Sequence, residues 1–544
     1  MRIKKFLLGL LILAIIATMA TPVWAAPIED IVIEKPVKNV IILIPDGTSL
    51  EVATLSRWYN GGKKHNIDDL ACGLIRTYSC DAPIADSAPS STAMSTGHKS
   101  STGFVATLPD ANTMPGLEPL DPSRRRAPVA TILEAAQLAG KATGVVATCE
   151  IMHATPADFT AHSSNRSDYD TLSMQQVYQE VDVFLAGGKK FFTPEGRKDG
   201  NDLLAVIKEN YQIVENTAQM HEVKSGKVWG LFAETAMAYD FDRDPVKEPS
   251  LAEMTQKAIE ILSQDEDGFF LMVEGSKIDW AAHANDPIGM ISDYLAFDKA
   301  VGVALDFAKK DGNTVVISAA DHGNSGLSIG SEWTNSDYDV VPLSDFIDPL
   351  KRAKLTGEGI EKALNEDRSN IVEVMAQYYG ITDLSEEEIN AIKEAAAGKM
   401  NYVVGPMIGK RAKLGFTTIG HTGDDVPLYV YVPEGIDILS GTVENTDIAR
   451  YMEKLLGLNL EETTKKLFVP ARKAFEAKGA TVSFDTSDPK NPVFVAVKGD
   501  IEIRIPVNTN KAFVNGVEHK LDGVAVFDGI GTNYVPQSAI DLMQ

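Results

Sequence analysis

Five short apolar runs, Lys38–Ile44, Lys141–Thr148, Phe269–Val273, Thr314–Ser318 and Leu428–Val432, are spaced along the 544-residue chain. Helical patterns fall between several of them, at Val129–Ala139, Leu251–Ser263 and Met290–Lys309. A run that is apolar at nearly every position, rather than at every second one, belongs in a strand covered on both faces. The expected fold class is therefore α/β, an α/β/α sandwich around a central, mostly parallel sheet.

The chain is too long for that sheet alone, and its pattern changes in three places. Residues 338–410 are charged and rich in Ala and Glu, with a capping-box pattern at Ser385-Glu386-Glu387-Glu388, which predicts a helical insertion in a sheet-bearing domain over 26–440. A helix at Asn445–Leu456 predicts a helical connector over 441–479. Short alternating runs, with turns at Asp488-Pro489, Asn508, Asn515-Gly516 and Asp522-Gly523, predict a small β-rich C-terminal module over 480–544.

At the other end, Met-Arg-Ile-Lys-Lys is followed by an apolar core, Phe6–Ala17, and then by Thr21-Pro22-Val23-Trp24-Ala25-Ala26. That is the order of a signal peptide, expected over 1–25 with cleavage near Ala25 or Ala26. The core falls short of the about 20 residues that span a bilayer, so no membrane span is expected after its removal. The mature protein is expected to be secreted, periplasmic or cell-surface. The formal net charge of −25 argues against nucleic acid as a partner and against long-range attraction of phosphate esters. A phosphate site here needs local positive charge, for which bound metal is the natural source. Three cysteines, Cys72, Cys80 and Cys149, lack the paired spacing of a thiolate zinc site; one Cys72–Cys80 bridge and three buried thiols are equally consistent with them.

Acidic residues stand where the strands end. Asp46 follows the first run, Glu274 ends the third, and Asp321-His322 follow the fourth. Ligands of parallel sheets bind beyond the carboxyl ends of the strands, so these groups should converge, and converging carboxylates repel unless a cation lies between them. Asp279 and His283, at i and i+4, would share a helix face in a pairing that suits zinc. Asp86-Ser87-Ala88-Pro89 opens a helix, where a serine hydroxyl lies among free backbone N–H groups. Taken alone, that segment fits an ordinary Ser/Thr-rich N-cap better than a reactive serine.

In order along the chain, Pro45-Asp46-Gly47, Asp86-Ser87-Ala88, His153-Ala154-Thr155-Pro156, Arg166, Val273-Glu274-Gly275 with Asp279 and His283, Ala320-Asp321-His322-Gly323 and His421-Thr422-Gly423 resemble the motif set of the alkaline phosphatase family. The resemblance covers roughly Lys38 to Val432. It implies phosphate monoester hydrolysis with Ser87 as nucleophile and Arg166 gripping the phosphate. It implies two zinc ions, one on Asp279, His283 and His421 and one on Asp46, Asp321 and His322, and one magnesium on Thr155 and Glu274 with Asp46 bridging. Small phosphate monoesters are the implied partners, and a homodimer is a common state in the family. His153 and Trp280 depart from the best-known enterobacterial pattern, which has Asp and Lys there. The pair is similar to that of other bacterial members and implies a weaker magnesium site and faster phosphate release.

Two other readings remain open at this point. A phosphodiesterase or sulfatase of the same superfamily would keep most of the metal set, although Ser87-Ala88-Pro89-Ser90-Ser91 lacks the arginine of a sulfatase motif. A non-catalytic phosphate- or metal-binding surface protein would keep the fold. The C-terminal region is similar to the domain named after the N-terminus of copper amine oxidases, with Phe513-Val514-Asn515-Gly516 and Asn533-Tyr534-Val535-Pro536 carrying the likeness. A passive packing or surface-attachment role is expected of it.

Overall fold

The computed structural model describes residues 25–26 and 28–544. Apart from Ala25, the expected signal peptide lies outside them. Among the described residues no helix is long and apolar enough to cross a membrane.

The centre is a ten-stranded sheet. Its strands in chain order are β1 (Asn39–Pro45), β2 (Ala71–Arg76), β3 (Ala142–Glu150), β4 (Val183–Gly187), β5 (Gln212–Val214), β6 (Val228–Leu231), β7 (Phe269–Gly275), β8 (Thr314–Ala319), β9 (Val426–Tyr431) and β10 (Gly441–Glu444). Across the sheet they lie in the order β10-β2-β9-β8-β1-β7-β3-β4-β6-β5. All pairings are parallel except those of β9 with β2 and β8. The fifth apolar run, expected within the parallel set, is thus reversed. Its continuous apolarity records burial on both faces and carries no direction.

Both faces of the sheet are covered. Along β1, Ile41 and Leu43 enter one core while Val40, Ile42 and Ile44 enter the other; along β7, Phe269, Leu271 and Val273 face the first and Phe270 and Met272 the second. Side chains that alternate between two apolar layers account for runs with no polar break. The helices that matter for the site are α1 (Ser87–Thr96), α2 (Tyr169–Gln179), α3 (Leu251–Leu262), α4 (Lys277–His283), α5 (Pro287–Asp311) and α6 (Asn445–Leu456). Helix α3 begins at a capping box formed by Ser250 and Glu253. Helix α5 begins at Asp286-Pro287 and stops at Gly312, whose φ of 71° ends it.

Residues 343–411 are mostly helical, in short helices such as Leu343–Arg352, Gly357–Ala363, Glu386–Glu394 and Met400–Arg411 joined by loops, and Ser385 caps its helix through the box with Glu388. Residues 441–456, expected as connector, instead extend the sheet and its cover: β10 pairs with β2, and Ile448, Tyr451, Met452 and Leu455 of α6 are buried in the second core. Beyond them lies an antiparallel β-rich region. Its five-stranded sheet, Thr481–Asp485, Val493–Lys498, Ile501–Pro506, Lys511–Val514 and Val517–Lys520, has its own core of Phe475, Phe494, Ile503 and Ile505. Asn515 and Gly516, at φ 49° and 83°, make the tight hairpin turn that this dipeptide predicts.

All three cysteines are free. Cys72 lies on β2 and donates to the carbonyls of Leu428 and Leu439, whereas Cys80 lies beyond the end of that strand, beside the Ser101 hydroxyl. The strand between them spans about 13 Å, beyond the reach of a disulfide.

Candidate metal centre and active site

The carboxyl ends of β1, β7 and β8 deliver Asp46, Glu274, Asp321 and His322 to one place, and all four are buried. Ile44 is in register with Glu274, so Asp46 comes off β1 beside the end of β7. The backbone must turn at once, and Gly47 does so at φ +63° while donating its N–H to Asp321 Oδ1 at 3.0 Å. A Cβ on Gly47 would lie 2.4 Å from Asp279 Oδ1, so only glycine lets α4 approach this closely.

Asp279, His283 and His421 form a first group. His283 Nε2 is 3.4 Å and His421 Nε2 3.6 Å from the Asp279 carboxylate. Asp279 and His283 come from one face of α4. His421 arrives by a two-residue antiparallel ladder, in which Asn324 pairs with His421 and Gly323 with Thr422. Asn324, which the sequence reading did not single out, donates from Nδ2 to Asp279 Oδ1 at 2.6 Å. Burial raises the pKa of Asp279, but the hydrogen bond and charge of His283, with His322 and His421, outweigh it and hold this carboxyl below its ordinary value.

Asp46, Asp321 and His322 form a second group. His322 Nε2 is 3.1 Å from Asp321 Oδ2 and 3.7 Å from Asp46 Oδ1. Even so, both Asp46 oxygens and Asp321 Oδ2 are buried without a hydrogen-bond partner. Burial, then the charges of Asp321, Asp279 and Glu274, push the Asp46 pKa well up. Thr155 Oγ1 and Glu274 Oε1 are likewise buried and unpartnered, and burial pushes Glu274 up to about 8. Buried carboxylates left unpaired are costly unless a cation takes their charge. The orphaned oxygens and the two nitrogen-containing groups therefore fit bound metal ions. One neighbour was not expected: Cys149 Sγ lies 3.5 Å from Glu274 Oε2, and the ligand atoms of Cys149, His153 and Glu274 all fall within 4.8 Å of one another.

Ser87 is the first residue of α1, with Asp86 as N-cap, and is 2% exposed. Its Oγ is 3.2 Å from His322 Nε2. The hydroxyl thus lies at a helix N-terminus and at the edge of the second group. Arg166 pairs through Nη1 with Asp86 and through Nη2 with His153 Nε2, the latter at 3.2 Å. Burial, then Arg166, bring the His153 pKa down to about 3, so the imidazole stays neutral and can accept from the guanidinium. Trp280 lies edge-on to His153, with ring centroids 5.7 Å apart.

A serine at a helix start, beside two clusters of imidazoles and unpaired carboxylates beyond the carboxyl edge of a parallel sheet, defines a metal-dependent hydrolase. The family described as Alkaline phosphatase matches residues 37–458, and the chain belongs to that family. It is accordingly a phosphomonoesterase. Alkaline phosphatase 3 of Bacillus subtilis is 35% identical over 453 residues, covering 79% of this chain and 92% of its own. The alkaline phosphatase of Thermus thermophilus superposes with a TM-score of 0.69 at 26% identity, covering 80% of this chain and 94% of that one. A histidine-to-aspartate variant of the TAB5 alkaline phosphatase, with Mg bound in its M3 site, has a TM-score of 0.55 at 28% identity and covers 78% and 99%. The family described as Copper amine oxidase N-terminal domain matches residues 460–542.

Proposed function

We propose that the chain hydrolyses a broad range of phosphate monoesters through a phosphoseryl intermediate on Ser87. The carrying observation is the placement of Ser87 Oγ, 3.2 Å from His322 Nε2 at the N-terminus of α1. Asp279, His283 and His421 would hold one zinc; Asp46, Asp321 and His322 would hold a second; Asp46, Thr155 and Glu274 would hold magnesium. Mixed nitrogen and oxygen donors suit zinc and an all-oxygen set suits magnesium. A TAB5 variant with aspartate in place of a histidine holds Mg in its M3 site, which supports a magnesium site as within reach of this fold. Bound there, the ions would supply Lewis acidity and neutralise the charge gathered on the buried carboxylates.

The chain's own residues account for the rest. The free N–H groups of α1 favour an incoming phosphate dianion and an ionised Ser87 oxygen. Arg166 can turn its fork from Asp86 and His153 to two non-bridging oxygens of the substrate. The Ser87 oxygen attacks phosphorus, the ester P–O bond breaks, and the alcohol leaves with a proton. Water then attacks the phosphoserine, releasing phosphate and restoring Ser87. Recognition confined to the phosphoryl group leaves the alcohol unspecified, which is the basis for breadth. The signal-peptide pattern supports a secreted, periplasmic or cell-surface setting for this activity.

Turnover of a phosphate monoester, a diester and a sulfate ester, alongside acid-quench trapping of phosphoprotein, tests this reading. The monoester should be preferred, with label on Ser87 that disappears in Ser87→Ala. Preference for the diester, or label that persists in Ser87→Ala, would sink it.

A further inference from the structure

We propose that the C-terminal module is a positioning element for Arg166, acting through Asn508 and Gln175. Gln175, on α2, is fully buried. Its Oε1 accepts the His162 N–H at 2.7 Å, and its Nε2 donates to the His162 carbonyl at 2.9 Å and to Asn508 Oδ1, in the module, at 3.0 Å. The side-chain amide thus holds both backbone groups of His162 as a neighbouring strand would, and its remaining hydrogen goes to the module. His162 begins the segment 162–166, and Arg166 is tied at its own N–H to the Gly103 carbonyl at 2.8 Å.

Two further contacts from the same side converge on this segment. Phe468 packs edge-on against the His162 ring, with centroids 4.6 Å apart, and belongs to an apolar cluster in which Leu467, Val524, Val526 and Tyr534 meet Leu108, Val129 and Ala130. Asp528 Oδ1 accepts from the N–H groups of Ile530, Gly531 and Thr532 and stiffens a turn that faces Ser164, where a Cβ on Gly529 would lie 3.5 Å from Ser164 Oγ. The next residue on α2, Gln176, donates to the Ile151 carbonyl and to Thr160, on either side of the His153–Thr155 segment. The module therefore bears on the helix that supports both loops flanking the phosphate site. A loop held on one side only would let the guanidinium wander, and small displacements of an oriented group weaken the geometry it supplies.

This inference rests on Arg166 as the phosphate clamp, and a double-mutant cycle on the full-length, metal-loaded protein separates the two ideas. Asn508 adopts φ +66°, so Asn508→Gly removes the side chain without straining the backbone. The readout is the inhibition constant of inorganic phosphate, with kcat alongside. Asn508→Gly should weaken phosphate binding about fivefold in the parent, a lost hydrogen bond's worth, and leave it unchanged in Arg166→Ala. The same loss in both backgrounds, or no loss in the parent, would overturn the positioning role. Parent-like phosphate affinity in Arg166→Ala alone would overturn the clamp, and this inference with it. If Asn508→Gly does not unfold cooperatively, Phe468→Leu, ahead of residue 480 but inside the same 460–542 family match, carries the same cycle with the same expected coupling.

Discussion

His283 and His421 direct their Nε2 atoms at one point, 3.1 Å apart, and each turns its other ring nitrogen to a backbone carbonyl, Ile419 O at 2.8 Å and Ala85 O at 2.7 Å. Those carbonyls fix Nδ1 as the protonated nitrogen and leave two lone pairs facing each other beside Asp279. That arrangement is favourable only around a shared cation. Removal of metal should therefore cost stability as well as activity. Binding at a thousandfold excess over Kd contributes about 4 kcal/mol per ion, so dialysis against a chelator is expected to lower the melting temperature by about 10 °C. Zinc should restore it and magnesium alone should not. Calorimetry of the chelated and reloaded protein checks this, and an unchanged melting temperature would show that the histidines are held without metal.

The parts of this centre differ in how legible they are in the sequence. Asp46, Glu274 and Asp321 announce themselves because each stands at or just past a run buried on both faces, where a charge has no structural reason to be. His421 carries no such signal. A two-residue ladder with Gly323 and Asn324 brings it in from about a hundred residues away, and only the family resemblance pointed to it. Strand β2, Ala-Cys-Gly-Leu-Ile-Arg, escaped notice because only Ile75 in it is buried, so it lacks the continuous apolarity that marks β1 and β7. Strand β10 is short and half exposed for the same reason, which set the expected domain boundary at 440 instead of beyond α6. Cys149 and Asn324 touch the centre through packing between distant segments, a relationship that residue type and local spacing do not record.

Stability should fall with rising pH through a group away from the metal clusters. Asp293, on α5, is buried, and its pKa is pushed up to about 8 by burial, with Lys277 opposing and Asp240 adding to the effect. In the unfolded chain the same carboxyl loses its proton near 4. Between those values the native state holds a proton that the unfolded state has lost, so this group's contribution is intact below about 4 and is lost as the pH rises to about 8. Asp293→Asn keeps the shape and removes the titration. The variant should match the parent near pH 4 and exceed it by on the order of 3 kcal/mol at pH 9. Denaturant midpoints across that range decide it: a stability difference that does not vary with pH would mean that Asp293 is ionised throughout.

Trp280 should set how long product phosphate stays. It follows Asp279 on α4 and lies edge-on to His153, which in turn accepts from Arg166. Lys277, one turn earlier, does not supply a second cation to the phosphate. Its Nζ is spent on Glu358, at 3.1 Å, and on the Met237 carbonyl, at 2.9 Å. Trp280→Lys would place an ammonium beside His153, where partial burial strengthens its attraction to a dianion. Phosphate inhibition should become about tenfold tighter, and kcat should fall to the extent that release limits turnover. Trp280→Phe separates gain of charge from loss of the indole, because it removes the ring's size without adding a cation. If both variants bind phosphate alike, the indole restricts the site by bulk, and the absence of a cation does not govern release.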